Sequence, residues 1–288
     1  MKTRTLPKLK LALASTAVIA LSLGSAFATA QESSSGSGWT GYYLGLKGGY
    51  TWSDSTDVKT RSDNVQVVGY GGSQQGADAA VQAASGNTSV SPSGAIGGGF
   101  AGYNWQSGQF VYGVEVDVQL ASNKDNGNSS SSVPISGFPA NSIASTTSVS
   151  QELSFLSTLR GRFGFLTSPD LLIYGTGGLA VGGAKTKANT SQEILGPSGG
   201  ITTTYQNDEN TSETLYGWTA GAGLDWKFMQ DYSIKAEYLY YDLGDMDSSR
   251  NNFGSDVLSG GSFYTNSIKT KSSYEGSVAS IGISYHFQ

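Results

Sequence analysis

The sequence predicts an all-β fold, an eight-stranded antiparallel up-and-down transmembrane β-barrel with four long extracellular loops and three short periplasmic turns. Three observations predict it: two-faced segments of strand length, links that alternate between short and long, and an amino terminus suited to export. A barrel whose two ends face different compartments shows this alternation of links. The short links are 106–109, 167–170 and 229–232, and the long links are 53–93, 121–149, 186–214 and 244–272.

The amino terminus has the layout of a secretory signal peptide. Four basic residues lie in the first ten positions, an apolar run follows at 11–23, and Ala-Thr-Ala at 28–30 provides a cleavage site. The apolar run is shorter than the roughly 20 residues of a spanning helix, which favours cleavage over a permanent anchor. We therefore expect a signal peptide at 1–30, a flexible periplasmic leader at 31–38 and the barrel at 39–288.

Composition narrows the class further. No apolar run after residue 30 is long enough for a transmembrane helix, so a chain that enters the membrane must close into a barrel to satisfy its backbone hydrogen bonds. The absence of cysteine excludes disulfides and cysteine-based metal or redox chemistry. Without the four cations of the signal peptide, 13 Lys and Arg face 22 Asp and Glu, and the resulting net charge of −9 argues against nucleic acid as a partner.

Eight segments carry the strand pattern, in which residues two apart share a face. A length of about ten residues is what a tilted strand needs to cross a bilayer. Tryptophan and tyrosine gather near the segment ends, as they do in the aromatic girdles of membrane barrels. In chain order the segments are 39–52, 95–105, 110–120, 153–165, 171–185, 218–228, 234–241 and 279–287.

The first four segments differ in how cleanly they alternate. Segment 39–52 places tyrosine and leucine on one face, and 95–105 is rich in glycine and ends with tyrosine and tryptophan. Segment 110–120 sets Phe, Tyr, Val and Leu against Gly, Glu, Asp and Gln. Segment 153–165 sets apolar residues against Ser, Thr and Arg, with Leu156 as the exception. The alternation predicts strands with one apolar and one mostly polar face.

Among the last four segments, one resists a single phase. In 171–185 the large apolar residues change parity, so we expect a β-bulge or a glycine kink near 175–178. Segment 218–228 alternates Trp, Ala, Leu and Phe with Thr, Gly, Asp and Lys. Segments 234–241 and 279–287 alternate in the same way, which completes the prediction of eight strands.

The polar faces of these strands carry charges of both signs. A soluble sandwich or lipocalin-like barrel would also alternate, but with its apolar residues facing inward. We favour the membrane barrel because a buried charge is tolerable only when paired, and a closed lumen would bring opposite charges together. The candidate lumenal ion-pair residues are Glu115, Asp117, Arg160, Arg162, Lys235 and Glu237.

Four runs of sequence resemble one family: 159–164 (Leu-Arg-Gly-Arg-Phe-Gly), 174–180 (Tyr-Gly-Thr-Gly-Gly-Leu-Ala), 217–223 (Gly-Trp-Thr-Ala-Gly-Ala-Gly) and 236–244 (Ala-Glu-Tyr-Leu-Tyr-Tyr-Asp-Leu-Gly). They are similar to the small outer-membrane β-barrel family of alphaproteobacteria, the outer-membrane immunogenic or hemin-binding proteins. The likeness covers most strands and none of the long loops. It implies an OmpA-like barrel in the bacterial outer membrane, both termini in the periplasm, contact with outer-membrane lipid and lipopolysaccharide, and delivery by the outer-membrane assembly machinery.

The resemblance also implies an assembly signal at the carboxyl end. Members of the family usually finish on the aromatic residue that the assembly machinery reads. Here Tyr285 and Phe287 keep the pattern, but Gln288 follows Phe287. We expect slower insertion rather than failure, and equal assembly rates for the chain and a variant lacking Gln288 would contradict this hypothesis.

The apparent catalytic motifs lack the structural context that their chemistry requires. The glycine-rich run at 175–180 matches a dinucleotide-binding fingerprint, but no amphipathic helix follows to direct its amino terminus at a pyrophosphate. The only histidine, His286, lies two residues from the terminus, so Ser-His-Asp catalysis has no positioned base. We expect no enzymatic activity and no cofactor.

The charged pairs on the strands could serve anion binding or acid–base catalysis instead of ion pairing. Arg160 and Arg162 have the fork geometry that grips a carboxylate or phosphate, and Glu115 with Asp117 would suit acid and base roles. No binding cleft is indicated around them. We therefore favour lumenal ion pairing for all four residues.

Metal and hemin sites are weakly indicated. Acidic and amide residues occur in the long links, as at 207–210, but without EF-hand spacing or a histidine cluster. Hemin binding, which the resemblance implies, would have to rely on tyrosines such as Tyr70, Tyr205 or Tyr264, because the long links contain no histidine.

Three functions remain open. The first is a structural membrane protein that displays loops and supports envelope integrity, and the second is a loop-mediated adhesin or a binder of hemin, a host molecule or another small ligand. A narrow channel is the third, because side chains fill an eight-stranded barrel whereas a diffusive pore needs about 16 strands. The polar tracts 122–132 and 255–267 are expected to be mobile loops.

Overall fold

A computed structural model describes residues 38–53, 56–68, 74–195, 201–255 and 263–287. The expected signal peptide at 1–30, and the expected leader up to residue 37, lie outside these ranges. Within the described ranges, no helix is long and apolar enough to cross a membrane.

The described residues form ten strands and one helix. In chain order they are β1 Gly41–Trp52, β2 Thr56–Val68, α1 Gln74–Ala84, β3 Gly86–Val90, β4 Ser93–Ser107, β5 Phe110–Ile135, β6 Phe138–Ser168, β7 Leu171–Leu195, β8 Ile201–Lys227, β9 Tyr232–Ser255 and β10 Phe263–His286.

Eight of these strands, β1 and β4 to β10, close into an antiparallel barrel. Each pairs with the next along the chain, and β1 closes the ring by pairing with both β4 and β10. Leu46, for example, lies opposite Gly99 on one side and Ile283 on the other. The predicted eight-stranded up-and-down barrel is confirmed, and β2 and β3 are additional strands of the first long link.

The short links are tight, as the sequence predicts. Gly108 and Gln109 connect β4 to β5, and Gly108 has a φ of 61°, a left-handed conformation that glycine adopts without a Cβ clash. Pro169 and Asp170 connect β6 to β7. Residues 228–231 connect β8 to β9. Because neighbouring strands of the barrel are antiparallel, all three short turns lie at one end of it.

The long links contain much more strand than expected. β5 and β6 have 26 and 31 residues, far beyond the roughly 9–11 that a bilayer needs. Their polar tracts continue the same ladder, with Asn128 opposite Ser148. A polar tract that cannot form its own core can still extend a hairpin, because the neighbouring strands supply its backbone hydrogen bonds.

The first long link folds into the extracellular end of the barrel. Its helix α1 packs Ala79, Ala80 and Ala83 against Ile135 and Ile143 of the β5–β6 hairpin. Strand β2 pairs with the outer part of β10 and with β3. The sequence pattern predicts neither this helix nor these two strands.

The barrel is inside-out compared with a soluble protein. Large apolar side chains such as Leu46, Leu120 and Leu179 are 65–72% exposed on its outer surface. Charged side chains such as Lys47 and Arg160 are buried inside it. This arrangement suits a wall that faces lipid, and the alternative of a soluble lipocalin-like barrel is wrong.

Strand β7 keeps one phase throughout the barrel. Leu172 and Tyr174 are buried and face inward, whereas Leu179 is exposed and faces outward. The pairing with β6 runs from Leu172 to Gly183 without a register shift. The expected bulge near 175–178 is therefore wrong, and the change of parity arises because some large side chains fill the interior.

Candidate functional site

Eight charged side chains meet inside the membrane-spanning part of the barrel. They come from the inward faces of β1, β5, β6, β8 and β9, and we call them the interior charge cluster. Their charges balance, four positive against four negative, and every side chain is at most 2% exposed. The members are Lys47, Glu115, Asp117, Arg160, Arg162, Asp225, Lys235 and Glu237.

Arg160 is the centre of this cluster. Its Nη2 donates to Oε1 of Glu115 at 2.6 Å and to Oδ2 of Asp117 at 2.9 Å. Both Nη atoms also donate to Glu237, at 3.0 and 3.1 Å. One guanidinium thus bridges strands β5 and β9 across the interior, which the planar, multi-donor geometry of arginine permits.

The carboxylate of Glu115 is in contact with several hydrogen-bond donors and cations. The ammonium of Lys235 contacts Oε2, the same oxygen accepts a hydrogen bond from the hydroxyl of Tyr43 at 2.8 Å, and Arg162 lies 3.6 Å away. Arg162 also pairs with Asp225 at 3.3 Å. The two oxygens of Glu115 are therefore fully engaged.

A second carboxylate, Asp117, is held as firmly. Lys47 Nζ lies 3.2 Å from Asp117 and 3.2 Å from Glu237. The hydroxyl of Thr158 donates to Oδ2 of Asp117 at 2.7 Å, and the amide of Gln119 donates to Oδ1 at 3.0 Å. These contacts tie β1, β5, β6 and β9 together.

Aromatic rings line the cluster and contact its cations. The guanidinium of Arg162 lies 4.0 Å from the ring centre of Tyr174, and the ammonium of Lys235 lies 4.1 Å from that of Phe100. Such cation–π contacts stabilise a desolvated cation by about 2 kcal/mol. The hydroxyl of Tyr174 also donates to Glu237 at 3.0 Å.

The structure brings together all six residues proposed from the sequence as lumenal ion-pair residues. Sequence reasoning missed Lys47 and Asp225. Both could have been found from strand parity, because Lys47 alternates with Leu46 and Asp225 alternates with Leu224 and Trp226.

The charged groups of this cluster are engaged with one another. Ion pairs and hydrogen bonds engage every carboxylate in the cluster, and the charges sum to zero. Among the described residues, no group of three or more His, Asp or Glu side chains is placed to hold a metal ion. The side chains of the cluster, each at most 2% exposed, occupy the barrel interior at this level.

A second group of buried side chains lies at the end that carries the short turns. Trp39, only 1% exposed, donates through Nε1 to the carbonyl of Pro169 at 3.1 Å. Its ring contacts His286 edge-on, with centroids 5.5 Å apart, and Nζ of Lys227 lies 4.8 Å from its centre. Trp39 is thus buried in the mouth of the barrel instead of joining the predicted aromatic girdle.

His286 is an interior residue. It is 4% exposed, and its Nε2 lies 2.9 Å from the hydroxyl of Ser233. Its ring contacts Ser233 and the rings of Trp39 and Tyr43, and its backbone N–H donates to the carbonyl of Asp231 at 2.7 Å. Within the described ranges, no carboxylate is hydrogen-bonded to the ring to orient it as a catalytic base would require.

The proposed assembly-signal residues lie at the end of the last strand. The backbone N–H of Phe287 donates to the carbonyl of Tyr42 at 2.8 Å. The rings of Tyr285 and Phe287 form an edge-to-face contact, with their centroids 4.9 Å apart. Phe287 is 42% exposed on the outer wall. Gln288 lies outside the described residues.

The tyrosines considered for hemin belong to different parts of the chain. Tyr205 lies in β8 and Tyr264 in β10, while Tyr70 lies outside the described residues. The described residues therefore do not bring these three tyrosines together into one hemin site.

Comparison with known proteins gives consistent matches. Residues 16–287 match the outer membrane protein beta-barrel domain family. The 31 kDa outer-membrane immunogenic protein of Brucella melitensis biotype 1 is 31% identical over 210 residues, 72% of this chain and 72% of its own length. The 22 kDa outer membrane protein of Rhizobium leguminosarum bv. viciae is 28% identical over 73% of this chain and 66% of its own length.

Among solved structures, the outer membrane protein OprG from Pseudomonas aeruginosa aligns over 88% of this chain and 99% of its own. Its identity is 14% and its TM-score is 0.40. The sequence matches confirm the family resemblance carried by the four runs between 159 and 244.

Proposed function

The chain belongs to the outer membrane protein β-barrel family and resides in the bacterial outer membrane, and from this premise we propose that it is a non-enzymatic structural protein. It supports envelope integrity and displays its long hairpins at the cell surface. One observation carries the proposal: the interior charge cluster fills the barrel with mutually paired side chains, of which Arg160 alone contacts three carboxylates.

The same observation argues against the narrow channel and against catalysis. A solute crossing the barrel would have to break buried pairs such as Lys47–Asp117, whose side chains are at most 1% exposed. Breaking a buried pair costs about 3–5 kcal/mol, because it leaves a charge without compensation. A carboxylate held in this way is also not available as an acid or base for a substrate.

Two measurements test the structural role. The purified full-length barrel is expected to give no conductance in a planar lipid bilayer. A strain lacking the protein is expected to become sensitive to detergents and large antibiotics, and the wild-type gene should restore resistance. Ordinary resistance in that strain would contradict the structural role, and ohmic conductance would contradict the closed interior.

A second candidate function is ligand binding at the cell surface. It is favoured by the ordered hairpin of β5 and β6, whose ladder continues from Asn126 opposite Ser150 out to Val133 opposite Ile143. A rigid hairpin presents side chains with less entropic cost on binding than a mobile loop does. The candidate ligands are hemin, host matrix proteins and lipopolysaccharide.

The binding function is tested by shortening that hairpin. In the test variant, a short turn that joins Asn126 to Ser150 replaces residues 127–149. Surface binding through this hairpin predicts that binding to a hemin, matrix-protein or lipopolysaccharide surface is lost in the variant. Unchanged binding would rule the hairpin out, while the envelope test above would still decide the structural role.

Delivery by the outer-membrane assembly machinery completes the proposal. It rests on the position of Tyr285 and Phe287 at the end of the closing strand β10. The comparison of insertion rates with and without Gln288 tests it.

A further inference from the structure

Beyond the membrane, the wall of the barrel separates into two sheets. The outer parts of β5, β6, β7 and β8 pair in order and form one sheet. The outer parts of β9 and β10 form the other sheet together with β2 and β3. Pairing between β4 and β5 ends at Gly94 opposite Asn123, which marks one boundary between the two sheets. The other boundary lies between β8 and β9.

Strands β8 and β9 pair along only part of their length. Their ladder ends at Trp218 opposite Asp242. Farther out, β8 remains paired with β7 on one side, and β9 remains paired with β10. Within the described ranges, no residue of 201–217 pairs with β9. We call this break the seam, and we call the side of β8 that faces it over residues 203–217 the β8 edge.

The chain bends where the seam begins. Gly244 has a φ of 77°, a left-handed conformation that favours glycine, and its N–H donates to Oδ1 of Asp242 at 2.8 Å. On the neighbouring strand β10, the register shifts between Ser273 and Glu275 at the same level. An irregularity of this kind bends a strand and increases its twist. The two bends therefore direct β9 and β10 away from β8.

The β8 edge lies in water. The seam begins at the outer aromatic residues Trp218 and Tyr216, which are 50% and 74% exposed. Glu213 belongs to the inward-facing positions of β8, yet it is exposed, whereas Thr219 on the same face is buried. An open strand edge is not tolerated in hydrocarbon, because lipid cannot satisfy its backbone hydrogen bonds. In water the edge is a surface to which another strand can add.

Side chains behind the seam hold the edge in place. Leu215 of β8, Leu243 and Met246 of β9, and Tyr274 of β10 belong to one buried apolar cluster. The hydroxyl of Tyr274 also donates to the backbone carbonyl of Lys185 on β7 at 3.0 Å. The β8 edge is thus ordered before a partner arrives, which reduces the entropic cost of binding.

Acidic residues dominate the β8 edge. Residues 203–217 contain Asp208, Glu209 and Glu213 and no lysine or arginine. An antiparallel pairing of two copies of the chain about Thr211 would place Glu209 opposite Glu213, and like charges directly opposite are destabilising. The same carboxylates stabilise an added strand that carries lysine or arginine. The charge of the edge therefore disfavours self-association and favours a basic partner.

The charges behind β8 lie farther from an added strand. Strand β7 has Lys185 and Lys187 opposite Ser212 and Asn210, and it has Glu193 farther out. An added strand would lie about 5 Å from β8 but about 10 Å from β7, close to the Debye length at physiological salt. Its side chains therefore interact more with the carboxylates of β8 than with the lysines of β7.

The charges across the seam leave this region acidic. Asp242 lies opposite Glu275 at the base of the seam. Lys271 is paired with Asp245 at 2.8 Å. An approaching segment therefore meets more acids than bases. The charged residues farther out on these two strands are Asp245, Asp247 and Arg250 of β9 and Lys269 and Lys271 of β10.

We propose that the β8 edge binds an extended basic segment of another protein by strand addition. The backbone of the segment forms a ladder with the open side of β8, and its lysine or arginine side chains lie opposite Glu209 and Glu213. The end of the β8–β9 ladder at the membrane surface and the acidic edge beyond it point to this partner. The inference uses the outer-membrane location of the protein and depends neither on its structural role nor on the β5–β6 hairpin.

The test measures binding of labelled peptides to the full barrel in detergent by fluorescence anisotropy. The probe alternates lysine and threonine over about ten residues, the length of an ordinary strand. The same peptide with every backbone nitrogen methylated is expected to bind at least about tenfold more weakly, because it cannot donate backbone hydrogen bonds. A peptide that alternates glutamate and threonine should not bind. A photoreactive group on the probe should label residues 203–217.

Two double variants that remove equal charge locate the site. Glu209→Gln/Glu213→Gln should weaken binding of the lysine peptide about three- to tenfold, because it removes two cross-strand partners. Glu152→Gln/Glu193→Gln removes the same charge from β6 and β7 and should change affinity by less than about twofold.

Four outcomes would each overturn the proposal: no binding of the lysine peptide, equal binding of its methylated form, equal losses in the two variants, or labelling of the β5–β6 hairpin instead of β8. None of them decides the envelope test of the structural role.

Discussion

At the scale of single residues, Arg160 holds more of the interior together than any other described side chain. It contacts Glu115, Asp117 and Glu237 from inside the barrel. Replacing it by methionine keeps much of its volume but leaves three carboxylates with too few cations. We expect Arg160→Met to lower the free energy of unfolding by about 3–5 kcal/mol, measured by urea titration in phosphocholine vesicles.

Lys185→Met is the control for that measurement. Lys185 also pairs with a carboxylate, Glu152, but this pair is exposed to solvent. Exposed pairs contribute only about 0–1 kcal/mol, because water and salt screen them. Similar losses in the two variants would show that burial of the charge cluster does not determine the cost.

Tyr274 gives the extracellular end a pH dependence. Burial raises the pKa of its hydroxyl from 10.0 to about 12, although a hydrogen bond with Thr186 opposes the rise. A raised pKa of this kind stabilises the fold below pH 10, and the contribution is lost as the pH rises toward about 12. The unfolding midpoint should therefore fall over this range by more in the wild type than in Tyr274→Phe. Parallel pH profiles for the two proteins would contradict the assignment.

At the scale of elements, two neighbouring glycines in β7 have different roles. A Cβ on Gly178 would lie 2.1 Å from the carbonyl oxygen of Leu159 on β6, whereas one on Gly177 meets nothing closer than 3.5 Å. Gly178→Ala must therefore push β6 and β7 apart and should cost about 1–3 kcal/mol of stability. Gly177→Ala should change stability by less than about 1 kcal/mol, measured in the same unfolding assay. Equal effects would mean that the close approach of the strands is not a constraint.

Strand β7 shows how a strand can be predicted from sequence when the face that each apolar side chain occupies cannot. Parity identifies β7 as a strand, yet Leu172 and Tyr174 face inward and Leu179 faces outward. Parity alone cannot tell an apolar residue that faces lipid from one that fills the interior.

Helix α1 could not be predicted for another reason. Its short Ala-rich stretch becomes stable only against Ile135 and Ile143, which lie far away in sequence.

The interior site was more predictable than the extracellular end. Charges on alternating positions of β5, β6 and β9 identify Glu115, Arg160 and Glu237 as interior residues, because lipid excludes them from the other face. Which acid pairs with which base depends on how strands far apart in the ring approach one another. Strand parity carries no such information, so the link from Arg160 on β6 to Glu237 on β9 required the structure.

At the scale of the whole molecule, two layers lie in series between the mouth that holds Trp39 and the extracellular end of the barrel. The interior charge cluster closes it within the membrane. Farther out, β2 and β3 pack Val58 and Val90 against Val149 and Ala188 on the inner side of the β6 and β7 hairpins. The outer layer comes from a separate link of the chain, so it can be removed without cutting a barrel strand.

Single cysteines can test the two layers separately, because the chain has no cysteine of its own. Ala188→Cys lies under the outer layer, and Thr158→Cys lies beside Asp117 in the interior charge cluster. In the complete barrel we expect a water-soluble maleimide to label neither position. When a short turn replaces residues 54–92, Ala188→Cys should become reactive, while Thr158→Cys stays protected and the bilayer conductance stays at zero. Labelling of Ala188→Cys in the complete barrel would show that the outer layer does not cover the mouth. Labelling of Thr158→Cys after the replacement would show that the inner layer depends on the outer one, because a cluster that closes the barrel by its own ion pairs has no need of a cover.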